Sequence, residues 1–139
     1  MEKKDLLKDV IKHIDIKSYN STELVDAMRN MSFTSRDTAR AADILMMMCK
    51  EKECTNILTL AGSTSAAGCM QVYVDMVRNK MIDVVVATGA SIIDMDLFEA
   101  LGYKHYIGEK ENVIPDTTLR DLYIDRIYDT YIDEEELQA

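Results

Sequence analysis

Two short apolar runs, each closed by a turn of small residues, constrain this chain more than any other feature. Asn56-Ile-Leu-Thr-Leu60 leads into Ala61-Gly-Ser-Thr-Ser-Ala-Ala-Gly68. Ile82-Asp-Val-Val-Val-Ala87 leads into Thr88-Gly-Ala-Ser91. All five glycines lie between residues 56 and 108. Apolar, β-branched runs that end in small residues and pass into a helical pattern are the grammar of a parallel α/β sheet. Two such strands and their helix form a βαβ unit with a right-handed crossover. Ligands of these sheets sit beyond the carboxyl ends of the strands, so both turns are candidate sites. The expected fold is α/β: a parallel-sheet, Rossmann-like, three-layer partial domain preceded by N-terminal helices.

The rest of the chain reads mainly as helix. Residues 3–14 place Leu6, Leu7, Val10 and Ile14 on one helical face. Asn20 is positioned to cap a second helix, with Glu23 as its capping-box partner. Residues 36–52 repeat Ala39, Ala42, Leu45, Met46 and Cys49 at helical spacing, without Gly or Pro. Met46-Met-Met48 is apolar nearly all round, which suggests burial on two sides or a subunit contact, or else adaptable core filler. A helix is expected over 68–79, and the near-continuous apolarity of 82–87 predicts a strand buried on both faces. A second crossover helix is expected over 96–101, a third, half-covered strand over 103–107, and a short helix from Pro115 to Leu122. Residues 133–139 form an acidic, exposed tail. Without repeats or linkers, the chain reads as one domain over 1–139. It comprises N-terminal helices (1–52), a βαβ region (53–132) and the tail (133–139).

Charge and cysteine usage narrow the function classes. Twenty-five acids against 16 bases give a net charge of −9, which argues against nucleic acid as a partner. No apolar run approaches the ~20 residues of a membrane span. The mixed-charge start, Met1-Glu-Lys-Lys-Asp5, lacks the apolar core of a secretory signal. Three cysteines without a C-x-x-C spacing then fit a reducing cytoplasm. Cys49 reads as packing. Cys69 opens a helix, where a thiol can be activated, although burial is the commoner fate of such a residue. His13 and His105 are far apart in sequence and neither has a ligand-spaced partner, so no metal site is expected.

The turns carry the chemistry. Small residues in Gly62–Gly68 let a ligand approach the backbone, helix-end amides suit phosphate oxygens, and the hydroxyls of Ser63, Thr64 and Ser65 add donors. The pattern is neither G-x-G-x-x-G nor a P-loop. A turn of this kind also occurs for packing alone. The second turn is followed by Asp94 and Asp96, either of which suits a ribose hydroxyl or an ammonium group. Asp94 equally suits a helix cap. No catalytic triad, carboxylate pair or arginine cluster is legible.

Between about Met31 and Ile132 the sequence resembles the N-terminal portion of deoxyhypusine synthases. The matching segments are Met31-Ser-Phe-Thr-Ser-Arg-Asp-Thr-Ala-Arg40, Leu58–Gly68, Val84–Ala90 with Asp96-Leu97, and Arg126-Ile-Tyr-Asp-Thr-Tyr-Ile132. The resemblance implies NAD-dependent dehydrogenation of spermidine, capture of the aminobutyl group as an imine on a lysine, and its transfer to a lysine of a translation factor. It also implies that Gly62, Ser63, Thr64, Ser65 and Ala66 line one NAD turn and Thr88, Gly89 and Ala90 the other, with Asp94 near cofactor and polyamine. Met95 falls where an acid stands in some members. Family chains are more than twice as long, and the catalytic lysine lies in the part that this sequence does not match. The resemblance therefore implies no catalytic residue here, and a need for a second half, a second subunit or an oligomer. The alternatives are a non-catalytic NAD-binding or regulatory subunit and a truncated, inactive homologue.

Overall fold

The structure, a computed structural model, describes residues 1–108 and 114–139. In chain order the helices are α1 (Lys3–Leu6), α2 (Thr22–Met28), α3 (Phe33–Lys50), α4 (Met70–Arg78), α5 (Gly89–Ser91), α6 (Phe98–Ala100), α7 (Asp116–Asp121) and α8 (Glu134–Gln138). The strands are β1 (Ile57–Leu60), β2 (Val84–Ala87), β3 (His105–Ile107), β4 (Ile124–Ile127) and β5 (Thr130–Asp133). Wide π-type turns occupy Ser65–Cys69 and Ile92–Leu97. β1 and β2 form a small parallel pair, and β3, β5 and β4, in that order, form a separate antiparallel sheet. The protein is thus mixed α/β and divides into two compact units.

One unit comprises residues 15–59 and 72–86. Its longest element is α3, whose 18 residues include no helix breaker. Arg29, just past α2, reaches Asp43 on α3 and bonds Asp26 at 3.1 Å. The Asn20 side chain accepts from Thr22 N–H at 3.0 Å, one residue ahead of the cap position held by Ser21. Asn56 is buried and knits the two strand starts together. Its side-chain amide donates to the Met81 carbonyl at 3.0 Å, and its backbone N–H donates to the Asp83 carboxylate at 2.8 Å.

Three expectations fail in this unit. Val84, Val85 and Val86 are 41%, 39% and 55% exposed, so β2 is not a strand buried on both faces. A two-stranded pair gives β2 a neighbour on one side only, and parallel strands reach full burial when layers cover them. Met46 and Met47 are exposed and only Met48 is half-buried, so this run is surface rather than core filler. Cys49 is likewise exposed.

The other unit comprises residues 1–14, 60–71 and 87–139. Its core gathers Ile114, Leu119, Ile124 and Tyr131, with Leu6, Leu7, Tyr106 and Leu122 packed against them. α1 stops at Leu6 rather than running to residue 14. Beyond it the backbone is drawn onto the edge of β3: Ile11 N–H donates to the His105 carbonyl at 2.8 Å, Ile107 N–H to the Asp9 carbonyl at 2.7 Å, and Val10 bridges Tyr106. An open strand edge offers this segment backbone partners, and that pairing overrides its weak helical stripe. The strand expected over 103–107 exists as β3, but it pairs with β5 rather than extending the parallel pair.

The β4–β5 hairpin and α8 were not legible in the sequence. Ile127 pairs with Thr130 across a two-residue loop, Tyr128-Asp129, in which Tyr128 has φ +55°. The usual Gly or Asn signal of such a loop is absent. The acidic 133–139 segment is a capped helix rather than a free tail. The Asp133 side chain accepts from Glu135 and Glu136 N–H, and Lys3 pairs with Asp133 and with Glu135, the latter at 2.8 Å.

Candidate functional site

Both glycine turns fall in this second unit, where they touch. Thr88 N–H donates to the Leu60 carbonyl at 3.3 Å, which sets the strand tips side by side. The Ser91 hydroxyl donates to the Gly62 carbonyl at 3.0 Å and lies 3.2 Å from Thr88 Oγ1. A hydroxyl carries one proton. Ser91 commits its proton to Gly62, so Thr88 is the donor in the second bond. The Thr88 oxygen is left with lone pairs on an exposed residue. Sequence reading placed Ser91 in the turn without giving it a role. It is 2% exposed and braces one turn against the other.

The first turn is shaped by positive φ angles at Gly62 (+79°) and Gly68 (+99°). A side chain at Gly62 would meet open space, whereas one at Gly68 would stand 3.1 Å from the Lys12 carbonyl. Between them Ser63 is half-buried, Thr64 exposed, and Ser65 and Ala66 each 1% exposed. The π-type turn is held by Ala67 N–H to the Ser63 carbonyl (3.0 Å) and Cys69 N–H to the Thr64 carbonyl (3.1 Å). The Ser65 hydroxyl is sealed from water and has no hydrogen-bond partner. A buried, unsatisfied hydroxyl costs roughly 1–3 kcal/mol, so its retention calls for a reason.

The second turn keeps Thr88, Gly89 and Ala90 exposed beside the first. Helix begins at Gly89 with Thr88 in the cap position, well before the expected start at Asp96. Asp94 therefore lies inside the helical run, exposed, and caps nothing. Met95 is 3% exposed and packs inward. Asp96 is half-buried, with one carboxylate oxygen buried and unpartnered. Among the described residues no cluster of His, Cys, Asp or Glu could hold a metal ion, and no helix is long and apolar enough to cross a membrane.

The two histidines, unpartnered in sequence, meet on one carboxylate. His13 Nε2 lies 2.5 Å from one oxygen of Glu99, and His105 Nδ1 lies 2.6 Å from the other. His105 is fully buried. Phe98 faces it edge-on with ring centroids 5.4 Å apart and stacks on Tyr103. Spacings of 86 and 6 residues from Glu99 carry no local signal.

A small parallel pair whose strand tips lead into two adjoining glycine turns makes this a mixed α/β protein. The chain belongs to the deoxyhypusine synthase family, whose family model, described as deoxyhypusine synthase, matches residues 23–139. It is 64% identical over 138 residues to a deoxyhypusine synthase-like protein of Caulobacter vibrioides, covering 99% of this chain and 37% of that protein. A deoxyhypusine synthase-like protein of Chlorobaculum tepidum is 53% identical over 139 residues, 100% of this chain and 39% of the relative. A probable deoxyhypusine synthase 2 of Methanosarcina acetivorans is 38% identical over 126 residues, 91% and 36% respectively. The chain thus spans little more than a third of the curated relatives it matches, consistent with the family's N-terminal half.

Proposed function

We propose that this chain is the cofactor-side part of an NAD-dependent deoxyhypusine-synthase-type transferase. In this reading residues 1–139 act as one deoxyhypusine-synthase-like domain, and the parallel pair begins a Rossmann-like three-layer sheet. Gly62, Ser63, Thr64, Ser65 and Ala66 form one wall of the NAD site. Thr88, Gly89 and Ala90 form the other, with Asp94 toward the polyamine. The observation that carries the reading is the Ser91 bridge to Gly62, which makes the two turns one surface. Two features of the residues fit a dinucleotide. Open space over Gly62 admits close approach, and Thr88 offers lone pairs to a ribose or carboxamide donor.

The bound dinucleotide would supply the hydride acceptor for oxidation of spermidine. This chain's residues bind and orient: the turns fix the backbone, Ser91 holds their spacing, and the acidic surface favours a polycationic amine. The lysine that carries the aminobutyl group as an imine lies outside the matched sequence. Turnover therefore needs a second half, another subunit or an oligomer, and the acceptor is a lysine of a translation factor in the cytoplasm. Equilibrium dialysis at millimolar NAD tests the site. The chain should bind NAD weakly, and Thr88→Val, which keeps the shape and removes the oxygen, should weaken it further. Equal binding by both proteins, or none at all, would reject it.

A further inference from the structure

The geometry points to His13 and Glu99 as positioning residues for the first glycine turn, acting through the strand-like segment at residues 9–14. The inference rests on the cofactor reading for its functional consequence, although not for its structural one. Glu99, once ionised, is an acceptor only, so each imidazole donates a proton to it, His13 from Nε2 and His105 from Nδ1. His13 Nδ1 and His105 Nε2 are both buried and without hydrogen-bond partners. Charge-assisted bonds of this kind are short and directional. The carboxylate therefore fixes three pieces of chain together: the segment holding His13, the helical run holding Glu99, and β3.

The residue after His13 carries the link onward. Ile14 N–H donates to the Gly68 carbonyl at 2.9 Å, at the end of the first turn. The Lys12 carbonyl also lies close by, 3.1 Å from where a Gly68 Cβ would stand, so a side chain there would be crowded. Residues 12–14 thus clamp Gly68, and the clamp is itself pinned at both ends. Ile11 is bonded to β3, and His13 is bonded to Glu99. Glu99 lies in the helical run that follows the second turn. The segment therefore ties the exit of one turn to the helix leaving the other, separately from the Ser91 bond to Gly62. The hydrogen bonds most exposed to its loss are Ala67 to Ser63 and Cys69 to Thr64, which hold the π-type turn.

The test compares wild type with His13→Ala, His13→Gln and His13→Asn. The glutamine amide nitrogen reaches about as far as Nε2, and the asparagine amide does not. Hydrogen exchange read at Ala67, Cys69 and Ile14 reports the clamp without any cofactor. In H13A these amides should exchange roughly tenfold faster than in wild type, while Tyr131 and Ile132 in the antiparallel sheet stay unchanged. H13Q should restore them. NAD dialysis should follow the same order, with H13A weaker by about fivefold and H13Q near wild type. If H13A does not fold, H13N against H13Q makes the same comparison. Unchanged exchange at Ala67 and Cys69 in a folded H13A or H13N overturns the clamp, as does H13Q behaving like H13A. Responsive exchange with no NAD binding by wild type upholds the clamp and removes the cofactor reading instead.

Discussion

Substituting Gly68 by alanine, with Gly62→Ala as its control, probes the shape of the first turn directly. Both glycines sit at positive φ, +99° and +79°, where a side chain costs roughly 1–2 kcal/mol in backbone strain. Only Gly68 adds a steric cost. Its Cβ would stand 3.1 Å from the Lys12 carbonyl, and that backbone cannot retreat freely because Ile11 and Ile14 are bonded on either side of it. Crowding of this kind adds on the order of 1–2 kcal/mol. We expect G62A to lose about 1–2 kcal/mol and G68A about 2–4 kcal/mol. At this chain length each kcal/mol lowers the melting temperature by roughly 3–5 °C. Urea unfolding followed by circular dichroism gives both values, with the midpoint and slope compared separately. A G68A variant no less stable than G62A would refute the clamped geometry around residue 68.

Three other outcomes are expected. Ser65→Ala removes a sealed, unpartnered hydroxyl, so it should leave stability unchanged or raise it by about 1 kcal/mol, as urea melts would measure. Burial, with the carboxylates of Glu136 and Asp133 adding to it, pushes the Tyr106 phenol above its ordinary range. The fold thus favours neutral Tyr106, and this stabilisation is complete below the ordinary phenol range near 10. It is lost as pH rises through the raised folded value. Tyr106→Phe should flatten the alkaline limb of the stability profile, as seen in urea midpoints between pH 8 and 11. Finally, borohydride trapping with spermidine and NAD should yield no aminobutyl adduct on this chain by mass spectrometry, since no lysine here matches the family's catalytic one.

What the sequence disclosed, and what it did not, divides along the range of the forces involved. β1, α3, α7 and both glycine turns are local features, written in periodicity and in small residues, and they stand close to where the sequence puts them. Burial was misread wherever it depended on neighbours. The valines of β2 have the composition of a covered strand, but composition carries no account of what lies against it. Residues 9–14 carry a weak helical stripe, and the open edge of β3 outbid it with backbone hydrogen bonds. The β4–β5 hairpin turns on Tyr128-Asp129, which lacks the glycine that would have announced it. Within the candidate site, the turns were legible and the brace was not. Ser91 acts on Gly62 across 29 residues, and His13 meets Glu99 across 86. Such pairings are fixed by the fold and leave no mark on spacing.

The most direct measurement is a hydrogen-exchange footprint of the chain with and without millimolar NAD. If the two turns form one dinucleotide surface, exchange should slow together over 62–66 and 88–90, and Ser91→Ala should weaken both effects in parallel. Slowing at neither turn, or at one turn alone with the other indifferent to the cofactor, would contradict the account.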